Sequence, residues 1–320
     1  MNLLDSTNRI FDMSPEKLWH AASTFPVSIN FALSSLCQAK CAFCHKERGI
    51  SLTKPTMDYE LARKIIDEAS EEKFAGRFVL GDMGDAFLNP DIFRIFQYLR
   101  KKLPLAPIRL VTNMANADKR AADFLLRNKL TELMFNIDGS SKETYELVKK
   151  GLDFERISGN IRHFLKRRKE LNSSCKAIVK ILTVSRCYRY IMNRRSPYPD
   201  DSRKVMNYWK EMMNKDDIIY ALNKKEVFLW RGNKGRPRKI LRCPFRNIVL
   251  GSFFAAPDGQ IYFCCLDYKP ALRYGDVNKS TIKSIWQSEE RWSIIRHILK
   301  NEYDLIGPPC NACPHPGAYK

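Results

Sequence analysis

Cys37, Cys41 and Cys44 lie in the run SSLCQAKCAFCHKERG, so three thiols share one short loop. The spacing C-x3-C-x2-C lets such a loop wrap three thiolates around one corner of a four-iron cluster and leaves the fourth iron without a protein ligand. An open iron is a place for chemistry. The same thiols also read as half of a zinc site or as clustered core cysteines. Zinc sites pair two ligands with a second pair at set spacing, and the one extra ligand nearby is His45, adjacent to Cys44.

The chain of 320 residues, 44% hydrophobic and 28% charged, can bury a large core. No stretch holds the roughly 18 consecutive apolar residues of a membrane helix, and the N-terminus MNLLDSTNRIFDMSPEKLW has no signal-peptide pattern. The expected location is therefore cytoplasmic, with no membrane partner. Ten cysteines without an export signal favour metal ligation over disulfides. A net charge of +20 fits an anionic partner such as a nucleotide sugar, a phosphorylated carrier, RNA or an acidic peptide, and fits equally a solvated surface. Much of the excess sits in Arg162 to Lys169, expected on a helix exterior, and in Arg231 to Arg242, beside an expected domain boundary.

From Phe25 to Tyr220 short apolar runs alternate with amphipathic helical stretches, the pattern of βα repeats around a parallel sheet. Expected strands are Val27 to Ala32, Arg77 to Leu80, Ile108 to Thr112, Leu133 to Ile137, Ala177 to Val184 and Ile218 to Leu222. Helix starts are marked by Asp58, by Asn89-Pro90, and by Ser141 with Thr144. The expected class is α/β, a partial (β/α)6 TIM-like barrel with a small C-terminal β-hairpin/α domain. Such architectures bind ligands at the carboxyl ends of their strands, where the Cys37 loop falls. The expected organisation is an N-terminal extension (1–24), a barrel core (25–222), a basic linker (223–242) and a C-terminal unit (243–320). That unit is expected to carry a hairpin at Ile248 to Phe254 and Gln260 to Cys264, turned by Asp258-Gly259, then a helix from Ser280 to about Lys300.

The cysteine loop, with Phe43 just before its last cysteine, resembles the radical SAM enzymes. In that family the open iron is chelated by the amino and carboxylate groups of S-adenosylmethionine (SAM), whose reductive cleavage yields a 5′-deoxyadenosyl radical that abstracts hydrogen from unactivated carbon. Three more segments carry the resemblance. GDMGDAFLNPD is similar to the family's glycine-rich segment after the second strand, with Gly84 and Asp85 at its Gly and Glu positions and Ala86 in place of Pro. Backbone carbonyls of such a segment accept from the methionyl ammonium, which has three donors and no acceptor. Thr112-Asn113 is similar to a T-N segment near the cofactor. Phe135 to Ile161 is similar to the segment after the fourth strand. There an arginine contacts the SAM carboxylate, and Lys149 keeps its charge without the bidentate fork. Asp138, at the barrel mouth, is a candidate substrate ligand or proton acceptor, or a turn-forming Asp-Gly.

Cys243, fifteen residues, Gly259, four residues and Cys264, followed by Cys310-Asn311-Ala312-Cys313, resemble the SPASM and twitch extensions of radical SAM enzymes. So does YGDVNKSTIKSIWQSEERW. A full SPASM pattern has more cysteines after that point, so Cys243, Cys264, Cys310 and Cys313 imply one auxiliary [4Fe–4S] cluster; a zinc knuckle is the alternative. Cys265 is a hydrogen-atom donor, a buried hairpin residue or an alternate ligand. Adjacent strand residues face opposite ways, so Cys264 and Cys265 share a side only if the strand has ended. Cys175 and Cys187 read as core.

The resemblance implies a radical SAM oxidoreductase using SAM, a SAM-binding [4Fe–4S] cluster and an electron donor such as flavodoxin or ferredoxin. Dehydrogenation of a sugar or aminocyclitol-type alcohol is the leading expectation. The alternatives are epimerisation with Cys265 as donor, peptide maturation, and a non-catalytic Fe–S or zinc protein binding nucleic acid. About 25 residues precede the barrel, fewer than a separate leader-peptide domain takes.

Overall fold

The computed structural model describes residues 15–41, 44, 52–81, 83–185, 188, 196–222, 239–267, 271–313, 315 and 318. Phe43, His45, Cys187, most of the stretch from Arg186 to Asp201 and most of the basic linker lie outside the described residues.

Apolar strands of four to six residues form the centre: β1 (Ser28–Phe31), β3 (Arg77–Leu80), β4 (Ile108–Val111), β5 (Glu132–Asn136), β7 (Lys176–Ile181) and β8 (Ile218–Ala221). They pair in parallel in that order. A short ladder, β2 (Lys40–Cys41) with β6 (Lys149–Lys150), lies apart from this sheet. Helix α1 (Pro15–Ala21) precedes β1. Parallel neighbours need crossovers, and helices supply them: α2 (Tyr59–Glu71), α3 (Ile92–Lys102), α4 (Lys119–Arg127), α6 (Phe154–Glu170) and α7 (Ser202–Lys210) each bury one apolar stripe. The fold is the expected α/β partial barrel.

The strand ends agree with the sequence to within a few residues, because each run is bounded by turn residues. Asp58 stands at the N-cap of α2 but makes no cap bond, being ion-paired with Lys54. Ser141 does cap α5 (Lys142–Val148), accepting from Thr144 N at 3.3 Å. The run Arg162 to Lys169 is less exterior than expected. Arg168 is fully buried, and its guanidinium spans both oxygens of Asp217 at 2.6 and 2.7 Å, while Arg167 pairs with Asp123. A helical stripe repeats every three to four residues, so one of the five Lys and Arg positions in this eight-residue run can face inward.

The C-terminal unit extends the same sheet. β9 (Ser252–Ala255) pairs in parallel with β1 on the side opposite β3. The strands β10 (Gln260–Tyr262) and β11 (Arg273–Asp276) follow antiparallel. Two expectations are corrected here. Ile248, Val249 and Leu250 belong to helix α8 (Arg246–Gly251), not to a strand, so the hairpin begins only at Ser252. A continuous apolar run does not separate a buried helix from a buried strand by period. The helix expected from Ser280 to Lys300 is two: α9 (Ile282–Trp286) and α10 (Glu289–Lys300). Ser288 breaks them by capping α10, its Oγ accepting from Arg291 N at 3.3 Å.

Trp286 anchors this unit, its Nε1 donating to Ala22 O at 2.7 Å with the Arg291 guanidinium stacked 3.3 Å from its ring. The hairpin turn reaches the barrel mouth, where Asp258 Oδ2 accepts from Thr53 N at 3.2 Å. Gly259 adopts φ +87°, a region open to glycine, and a Cβ there meets Asn278 Nδ2 at 2.2 Å.

Candidate active site

The loop leaving β1 is held from below by one side chain that sequence reasoning took only as a helix start. Asn89 is buried, and its Nδ2 donates to Leu33 O and Met57 O, both at 2.8 Å, fixing where the chain departs toward Cys37. The Asn-Pro pair was the visible signal; its reach across 56 residues was not.

Gly84 lies against this loop so closely that an added Cβ meets Leu36 O at 2.3 Å and Ser34 O at 2.5 Å. Asp85 N donates to Leu36 O at 2.8 Å. The Asp85 carboxylate is buried and turns inward, its Oδ2 accepting from Thr112 Oγ1 and Asn113 N, both at 2.9 Å. A shorter acid than Glu therefore clasps the ends of β3 and β4 to the cysteine loop. Asn113 Nδ2 stands 3.5 Å from Cys37 Sγ, and Cys44 N donates to Cys41 O at 2.9 Å.

Cys41 is the register partner of Lys149 across the β2–β6 ladder. Lys149 Nζ lies 2.9 Å from Asp138 Oδ2, and Asp138 Oδ1 accepts from Leu182 N at 2.8 Å. Burial alone pulls the Lys149 ammonium down, but the charge of Asp138 outweighs it and holds the pKa above the ordinary lysine value. Between two buried opposite charges at this distance the ion pair is the interaction that counts. Burial pushes the Cys41 thiol up to about 11, with the Lys149 charge pulling the other way. The Tyr145 hydroxyl is buried beside this group with no hydrogen-bond partner among the described residues.

The second cluster of thiols is complete. Cys243, Cys264, Cys310 and Cys313 line one largely apolar cavity with Phe245 and Phe263. Burial raises the thiols of Cys243, Cys310 and Cys313, the last to about 12. A hydrogen bond with Cys265, then burial, raises Cys264. Buried thiols this reluctant to ionise need a cation to become thiolates, and ligation releases their protons. The strand has ended at Tyr262, and Asp267 N turns back onto Cys264 O at 2.8 Å, so Cys265 can lie beside Cys264. Cys265 does not line the cavity. Cys175 is buried core.

Among the described residues no three His, Cys, Asp or Glu side chains converge as a single metal ion requires. A cube of four irons spreads its ligands wider than one ion does; Cys243, Cys264, Cys310 and Cys313 share one cavity, and Cys41 lies close enough to Cys37 and Cys44 for each to raise its pKa. Three cysteines on a loop cradled by a glycine suit a SAM-binding cluster, and four around an apolar cavity suit a fully ligated one.

The family model of the radical SAM superfamily matches residues 32–189. A second model, the SPASM iron–sulfur cluster-binding domain, matches residues 243–314. The chain belongs to the radical SAM superfamily. It is an enzyme that uses SAM, a SAM-binding [4Fe–4S] cluster and auxiliary Fe–S ligation by the SPASM domain.

Solved structures share the fold. BtrN in complex with AdoMet and 2-DOIA aligns at TM-score 0.55 and 11% identity over 90% of this chain and 91% of that one. Native anSMEcpe with bound AdoMet aligns at 0.56 and 15% over 90% and 88%. Streptococcus suis SuiB bound to precursor peptide SuiA aligns at 0.57 and 13% over 85% and 67%. A comparison with curated protein sequences finds no match. No described helix is long and apolar enough to cross a membrane.

Proposed function

We propose that this chain is a radical SAM dehydrogenase that oxidises an alcohol carbon of a sugar or aminocyclitol. The observation that carries the reading is the single apolar cavity lined by Cys243, Cys264, Cys310 and Cys313. Four protein thiolates leave no iron open to substrate, so a cluster held there suits electron transfer. When bound, SAM with its cluster supplies hydrogen-atom abstraction, and the auxiliary cluster supplies a sink for the remaining electron. Oxidising a CH–OH carbon to a ketone removes a hydrogen atom, a proton and an electron, which matches that pair of functions.

The chain's own residues hold this arrangement. Cys37, Cys41 and Cys44 ligate the first cluster; Gly84 and Asp85 fix the loop that carries them, through Leu36, Thr112 and Asn113. Lys149 presents a cation to the SAM carboxylate, and Asp138 keeps that cation charged and in place. Phe43 takes the position of the family's aromatic residue. A small substrate is supported by the fold and length shared with BtrN, solved with 2-DOIA. A reduced flavodoxin or ferredoxin serves as electron donor in this reading.

A second reading, epimerisation with Cys265 returning the hydrogen, is favoured by the Cys265 thiol lying against Cys264. One experiment separates the two. The reconstituted enzyme is incubated with SAM, dithionite and a panel of sugars and aminocyclitols in D2O, and products are weighed by mass spectrometry. A product lighter by two hydrogens, with one 5′-deoxyadenosine formed per product, supports dehydrogenation. A product of unchanged redox state carrying solvent deuterium at carbon supports epimerisation and ends the dehydrogenase reading.

A further inference from the structure

Two side-chain amides at the barrel mouth have their polarity fixed from one end. Ala115 N donates to Asn113 Oδ1 at 2.9 Å, which identifies that atom as the oxygen. Asn113 Nδ2 then faces Cys37 Sγ at 3.5 Å. Gln38 stands 3.2 Å from Asn113 Oδ1, and since that atom is an acceptor, Gln38 must present its Nε2 there. Gln38 Oε1 is thereby turned the other way. It is shielded from solvent and has no hydrogen-bond partner among the described residues.

A buried carbonyl oxygen without a donor is disfavoured unless a ligand completes it. Gln38 follows Cys37 directly, on the loop that Gly84 and Asp85 clasp. We propose that Gln38 is a SAM-positioning residue whose Oε1 accepts a hydrogen bond from the methionyl ammonium. SAM also carries donors on its ribose and adenine, but the residue next to a cluster ligand stands at the methionyl end. The ammonium offers three donors and no acceptor. This assignment is independent of the substrate and of whether the product is a ketone or an epimer.

Two substitutions separate the halves of the amide. Gln38→Leu removes both, whereas Gln38→Glu keeps the acceptor and removes the N–H that reaches Asn113. SAM dissociation constants are measured by equilibrium dialysis on anaerobically reconstituted protein, with the spectrum of the reduced cluster recorded without SAM. The expected result is about tenfold weaker SAM for Gln38→Leu, about 1.4 kcal/mol, and affinity equal to or above the parent for Gln38→Glu. Unchanged affinity in Gln38→Leu overturns the assignment, as does weakening in both variants, which makes the N–H side the working half. If Gln38→Leu does not hold the cluster, Gln38→Glu decides alone, and affinity below the parent overturns it.

Discussion

Lys149 and Asp138 form a buried ion pair, Nζ to Oδ2 2.9 Å, directly across a two-residue ladder from Cys41 of the cysteine loop. The pair ties the segment after β5 to the cysteine loop, so under the proposed function the charge offered to SAM and the thiolate that would hold iron are joined through one short ladder. Asp138 has no solvent exposure, which makes its carboxylate an anchor for Lys149.

Removing one partner of such a pair strands the other charge. Asp138→Asn or Lys149→Met should each destabilise the protein by about 3–5 kcal/mol. The double variant should lose clearly less than the sum, because no uncompensated charge remains. Urea unfolding of the four proteins checks this; strict additivity would mean that the two groups do not interact.

Gly84→Ala should displace the cysteine loop, since its Cβ lands 2.3 Å from Leu36 O and backbone must give way. Overpacking of this kind costs about 1–3 kcal/mol. Iron retained after reconstitution and gel filtration is the readout, with a marked loss expected relative to a control substitution at the exposed Lys101.

Asp85→Ala leaves the Thr112 hydroxyl and the Asn113 N–H without their acceptor. Each such loss costs about 1–3 kcal/mol. Thr112→Val removes one of these bonds and the acceptor of Met114 N, whereas Asp85→Ala also leaves Phe87 N without its acceptor, so Thr112→Val should have the smaller effect on both thermal stability and SAM affinity. Equal SAM affinity in the parent and in Asp85→Ala would contradict the role of this carboxylate as the clasp.

Arg168 and Asp217 lie far along the chain from the cysteine loop, and their bidentate contact is wholly buried. Arg168→Leu should destabilise by about 3–5 kcal/mol while the folded fraction binds SAM with parental affinity. A fall in affinity per folded molecule would couple this end of the barrel to the site.

The barrel was legible because its evidence is local: Phe78, Val79 and Leu80, or Ile178 and Val179, are apolar runs bounded by turns. The cysteine sets were legible for the same reason, spacing being a property of the sequence. Asn89 and Gln38 were not, since their partners are carbonyls and amides from distant segments, and a single polar residue has no period. Arg168 hid inside a basic run that reads as surface. The α8 segment reads as a strand in the sequence because Ile248, Val249 and Leu250 are all buried, which erases the amphipathic signal that tells helix from strand.

Replacing Cys243, Cys264, Cys310 and Cys313 together by alanine tests the two-cluster dehydrogenase reading, with iron, sulfide, 5′-deoxyadenosine and product compared with the parent. On that reading the parent holds about eight irons and the variant about four, as for two four-iron clusters and one, with deoxyadenosine still formed and oxidised product lost. Undiminished oxidised product from the variant would contradict it.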